Sequence, residues 1–161
     1  MAGAKVELEL DNQQAIAALR DALQLLQEPQ RLQRDIGEYL INSTRDRFRD
    51  EKGPDGQAWQ ALSPRYLANK EPNPGKILQR SGHLARQISY QIQDGDLFVG
   101  TDRIYGAIHQ FGAKQGQFGK TKRGGPIPWG TIAARPFLGI SDADADEIIA
   151  LCRDHLKRRL S

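Results

Sequence analysis

The sequence predicts an α+β fold: a helical hairpin and a C-terminal helix packed on a small, mainly antiparallel sheet, with one long glycine-rich loop. Three observations carry this. Residues 13–50 show apolar positions at three- and four-residue spacing, interrupted at Glu28-Pro29, which reads as two helices. Residues 88–99 alternate with period two around Asp94-Gly95, a hairpin signal. Residues 113–130 lose both periods and carry glycines at 116, 119, 124 and 125.

Each element has its own local reason. Residues 5–10 alternate Val6, Leu8 and Leu10 with Lys5, Glu7 and Glu9, the pattern of a half-buried strand. Asp11 or Asn12 can cap the first helix, whose stripe is Ile16, Leu19, Leu23 and Leu26. Pro29 opens the second, with Leu32, Ile36, Tyr39, Leu40 and Phe48 inward. Arg31, Arg34, Arg45, Arg47 and Arg49 interleave with Asp35, Glu38, Asp46 and Asp50, which reads as a solvated face of mixed charge.

The turn GPDG ends that helix, and Trp59 and Leu62 follow. Ser63-Pro64 starts a short helix, KEPNPGK is an exposed loop, and Ser81 can cap a turn containing Leu84. Ile88, Tyr90 and Ile92 pair across the hairpin with Leu97, Phe98 and Val99. A further strand near residues 130–133 joins the same sheet in this reading. The stretch DRIYGAIHQFG is a short amphipathic helix stopped by Gly112, with Ile104, Ile108 and Phe111 facing inward. Ser141 caps the last helix, which begins with Asp142, Asp144, Asp146 and Glu147 and ends with Arg153, Lys157, Arg158 and Arg159. That polarity matches the helix dipole at both ends.

Composition narrows the function classes. The chain has 161 residues, 39% hydrophobic and 27% charged, with net charge +3 and a pI near 9.1. This is the size of one domain, 1–161, able to bury a core without staples. The lone Cys152 excludes an internal disulfide framework. No apolar run reaches the roughly 18–20 residues of a membrane span, and the first residues lack a signal-peptide core. A protein made in the cytosol is expected, with no membrane and no cofactor.

No catalytic constellation emerges. His83, His109 and His155 form no close pair and have no zinc-ligand spacing. The run at Asp142, Asp144 and Asp146 lacks the glycine and the distal glutamate of a calcium loop. Gly119-Lys120-Thr121 lacks the preceding glycine of a phosphate loop. No Asp or Glu sits in an apolar setting that marks the raised general acid of a glycan hydrolase.

What stands out is charge segregation. No acid occurs between Asp102 and Asp142, while Arg103, Lys114, Lys120, Lys122, Arg123 and Arg135 do. Phe118 and Trp129 interleave with these cations. Contact with another protein is the reading carried forward for a partner-binding loop of Lys114, Phe118, Lys120, Lys122, Arg123 and Trp129. The alternative is a nucleic-acid-binding module, with cations on phosphates and aromatics on bases.

Four segments occur in order: PDGQAWQAL (54–62), ILQRSGHLARQISY (77–90), VGTDRIYGAIHQFG (99–112) and IAARPFLGIS (132–141). Together they resemble the phage virion morphogenesis family, the tail completion proteins of Mu-like phages and prophages. One departure is Ala133, where the family usually has proline before the ARPFLG-like segment. The resemblance implies a structural, non-enzymatic role in tail completion or head–tail joining. Its implied partners are other tail or neck proteins and further copies of the chain in a ring, with nucleic-acid contact at most weak. The implied location is the host cytoplasm during assembly, then the virion tail or neck. Tyr105, Ile108, His109, Phe111, Arg135, Pro136 and Phe137 then become the anchors of the loop, with His109 as hydrogen-bonding support.

Overall fold

The computed structural model describes residues 12–69 and 75–161. The strand expected at residues 5–10, and most of the KEPNPGK loop, lie outside the described residues. The element order is α1 (Gln13–Leu25), α2 (Pro29–Asp50), α3 (Pro64–Asn69), α4 (His83–Arg86), β1 (Ile88–Gln93), β2 (Asp96–Thr101), α5 (Ile104–Phe111) and α6 (Asp142–Leu160).

Local signals set the ends of the long helices. Asn12 Oδ1 accepts from the Ala15 amide at 3.0 Å and starts α1. Ser141 and Asp144 form a reciprocal capping box at the start of α6. Ser81, by contrast, caps nothing: α4 is preceded by Gly82 in the left-handed region, with no side-chain cap. A φ of +69° places Gly82 where a serine cap, which needs extended backbone, does not fit.

Helix α2 is the centre of the molecule. It meets α1, α6 and both strands of the β1–β2 hairpin. One apolar cluster joins Leu32, Ile36 and Leu40 of α2 to Ala22, Ile148 and Cys152. A second joins Ile41 and Phe48 of α2 to Trp59, Ile77, Leu84, Ile88, Phe137 and Leu138. Burial pushes the Cys152 thiol up to about 11, as suits a thiol used for packing.

The hairpin crosses α2 at a glycine. A Cβ on Gly37 would lie 2.6 Å from Tyr90 Cγ, so the tyrosine ring rests directly on the helix backbone. Gly37→Ala is expected to cost about 1–3 kcal/mol by overpacking, read from urea unfolding. An unchanged midpoint would show that Tyr90 moves aside freely.

The sheet differs from expectation. Among the described residues it has two antiparallel strands, paired from Ile88↔Thr101 to Gln93↔Asp96. Residues 130–133 do not join it. Ile132 instead pairs with Ala113 in an isolated antiparallel bridge. Beyond it the two legs meet in scattered backbone bonds and one further bridge, Lys120↔Pro126, without a continuous ladder. Among the described residues no helix is long and apolar enough to cross a membrane.

Candidate functional site

The segment 113–132 is an ordered, two-legged arm. The Ala113 and Ile132 backbones exchange bonds of 2.9 and 2.7 Å at its root. Further out, the Gly116 amide donates to Pro128 O, and the Phe118 amide to Ile127 O. Gln115 donates through its side chain to Trp129 O at 2.9 Å. Lys120 bridges Pro126 near the tip, where the Thr121 amide donates to Gly125 O at 2.7 Å. The returning leg contains a cis Ile127–Pro128 peptide bond. Much of the arm's backbone is thus bonded within the arm, and its cations and two large aromatics are left outward. Lys114, Lys120, Lys122 and Arg123 are exposed. Phe118 is 51% exposed and Trp129 74%.

The arm grows from α5, and this helix is turned the other way from its apolar pattern. Its buried residues are Gly106 and Gln110, while Ile104 is 73% exposed and Phe111 66%. At about 100° per residue, the Ile104–Ile108–Phe111 stripe points almost directly away from the face of Gly106 and Gln110. Ile108 is half-buried. Ile104 and Phe111 are thus not the apolar pins that the spacing predicted.

The reason lies in the segment Arg135–Pro136–Phe137–Leu138–Gly139, which crosses the core as a strap without a strand partner. Its backbone groups must therefore find partners other than a neighbouring strand, and most of these are side chains. Gln110 Oε1 accepts from the Phe137 and Leu138 amides, both at 3.0 Å, and Gln110 Nε2 donates to Leu138 O at 2.9 Å. Trp59 Nε1 donates to Pro136 O at 2.7 Å. Arg47 Nη1 donates to Phe137 O and Gly139 O, both at 2.9 Å. Gly106 allows the close approach, since a Cβ there would lie 2.6 Å from Thr101 Cγ2. A glutamine that must reach the strap, and a glycine that must touch β2, fix which side of α5 faces in.

The anchors divide accordingly. Phe137 is fully buried, its ring 5.2 Å from Phe48, and Arg135 is 8% exposed. Pro136 has an exposed ring and holds through its carbonyl. His109 holds the strap through its own carbonyl, which accepts from the Arg135 amide at 2.7 Å. Its side chain is no hydrogen-bonding support: Nδ1 is buried without a partner. Burial first, and the Arg135 charge second, hold its imidazole below the ordinary histidine value. Tyr105 stands edge-on to that ring at 6.0 Å.

The interleaved charges of α2 predict a solvated face for Arg47, yet it is 7% exposed. It pairs with the buried carboxylate of Asp144. Tyr39 and Ser43 donate to the same carboxylate, Tyr39 at 3.0 Å. Burial pushes the Asp144 carboxyl up, but hydrogen bonds from Ser43 and Ser141 and the charge of Arg47 outweigh it and hold it below the ordinary aspartate value. Burial, with the neighbouring Asp144 charge, raises Tyr39 to about 12. The missed signal was spacing: Leu40, Thr44 and Arg47 follow the inner stripe of α2.

Beside α5 opens a cleft of about 680 Å3. Tyr105 and His109 form one wall, residues 131–133 at the arm root a second, and α3 and the α4 turn the others. Among the described residues no group of three or more His, Cys, Asp or Glu is placed to hold a metal ion. His155, on the far side, lies 2.7 Å from Asp35 Oδ2.

Against known proteins, residues 10–157 match the phage virion morphogenesis family. The putative capsid assembly protein G of Escherichia phage Mu is 31% identical over 145 residues, covering 88% of this chain and 85% of that protein. The Mu-like prophage FluMu G protein 2 of Haemophilus influenzae is 28% identical over 153 residues, covering 94% and 96%. No solved structure matches the chain.

Proposed function

The chain belongs to the phage virion morphogenesis family, and from that premise we propose that it is a structural protein that completes the tail or joins it to the head. It acts by contact with neighbouring virion proteins and with further copies of itself, not by catalysis. Its place is the host cytoplasm during assembly and the tail or neck of the particle afterwards. The observation that supports this best is the reversed α5. An apolar stripe facing solvent beside an arm with exposed Phe118 and Trp129 is the kind of surface that marks protein contact. Contacts between an arm on one copy and a different surface on the next are heterologous, and they close into a ring when the rotation allows.

The stripe supplies a direct test. Replacing Ile104 and Phe111 together by serine removes nothing from the core. Stability is expected to change by no more than about 0.5 kcal/mol per site. Incorporation into particles, read by immunoblotting of purified virions, is expected to be lost. Full incorporation of this double variant would overturn the docking role of the stripe.

A further inference from the structure

Two arginines are buried around the strap, and they differ in one respect. Arg47 has a carboxylate partner in Asp144. Arg135, at 8% exposure, donates from Nε to Gln60 O at 2.8 Å and from Nη2 to Ala61 O at 3.2 Å. Among the described residues no carboxylate pairs with it, and the one group whose charge favours its cationic form is Tyr66. An arginine cannot shed its proton to escape burial. A buried charge without a counter-ion is costly, so such groups are normally paired.

Arg135 lines the cleft beside α5, and among the described residues no Asp or Glu lines it. Its lining adds a second arginine, Arg80, the polar Ser81, His83 and Thr131, and the apolar Leu84 and Ile132. The surroundings repeat the pattern, since no Asp or Glu occurs from Arg103 to Ser141. An apolar cleft with a cation in its wall complements an apolar side chain flanked by a carboxylate. A phosphodiester backbone would leave the apolar walls unfilled, and a neutral segment would leave Arg135 unpaired.

We propose that this cleft receives a segment of a neighbouring virion protein that sets an Asp or Glu carboxylate on Arg135 and an apolar side chain against Leu84 and Ile132. The partner's identity rests on the assembly reading above; the chemistry of the cleft does not. The segment supplies from outside what Asp144 supplies to Arg47 within the chain.

The probe is acetyl-Leu-Glu-Leu-Glu-Leu-amide, titrated calorimetrically into the whole protein, with the glutamine counterpart as control. The glutamate peptide is expected to bind at least about tenfold tighter, because a charge-assisted bond is exchanged for a neutral one, and added salt is expected to narrow the gap. Ser81→Glu, at an exposed position on the rim, supplies a competing carboxylate. It is expected to weaken the glutamate peptide at least about tenfold while the thermal unfolding midpoint stays in place. Equal binding of both peptides, binding of neither, or displacement by inorganic phosphate would overturn the proposal. In phage complementation, Ser81→Glu is expected to lower incorporation. Normal incorporation of Ser81→Glu, with the Ile104/Phe111 variant excluded, would overturn the virion protein as occupant and leave the assembly reading standing. Absence of the parent protein itself from purified particles would instead overturn the assembly reading.

Discussion

Removal of residues 114–125 is expected to leave a folded protein that no longer enters phage particles. The structure separates these two effects. The arm's backbone bonds run within the arm, and its root is the Ala113–Ile132 bridge. Deletion joins Ala113 to Pro126 and leaves residues 126–131 to span that bridge. Closing a shorter loop costs less entropy than closing the longer one. None of the core residues around Phe48 and Phe137, or around Leu32 and Ile148, lies in the deleted stretch. The circular dichroism spectrum and the urea midpoint should therefore stay close to those of the intact chain. What disappears is exposed Phe118 and the cations Lys114, Lys120, Lys122 and Arg123. Complementation of a phage lacking the intact gene measures the result, and a normal yield of infectious particles would remove the arm from the account of assembly.

Asp144→Ala is expected to be the most destabilising single change, by about 3–5 kcal/mol, because it leaves Arg47 buried without its counter-charge. The capping box at Ser141 is lost with it. For a chain of this size that loss corresponds to a melting temperature lower by about 6–20 °C. Arg47→Lys should also fail substantially. The guanidinium reaches Asp144 through Nη2 and two strap carbonyls through Nη1, a fork that an ammonium cannot reproduce. Asp144→Asn keeps the shape and the cap geometry but not the charge, and its cost should be smaller.

The same carboxylate fixes a direction in pH. Its folded value lies below the ordinary 3.8 of aspartate. The folded state therefore binds the proton less readily than the unfolded chain does. The stability contributed by Asp144 is fully present above that ordinary value and is lost as pH falls through the folded one. Urea unfolding between about pH 5 and about pH 2 should show a shallower acid decline in Asp144→Asn than in the parent. Identical slopes would mean that Asp144 carries no such linkage.

What the sequence determined by itself was local. Period and caps placed α1, α2, α6 and the hairpin: the Ile16–Leu19 and Ile36–Leu40 stripes, Asn12, Ser141 and Asp94-Gly95 each act within a few residues. The charge segregation around the arm was equally readable, as was the family. The tertiary structure decided which face of α5 turns inward, which arginines leave water, and that residues 130–133 close an arm and join no sheet. The physical reason is common to all three. An apolar stripe predicts burial only when the surface it meets is apolar. At the strap, the surface is a run of backbone amides and carbonyls without a strand beside it, and its demand is for hydrogen bonds. Gln110, Arg47 and Trp59 meet that demand from positions 27 to 92 residues away in the chain. A local pattern holds no record of so distant a need, so α5 presents Ile104 and Phe111 to solvent and keeps its glutamine inside.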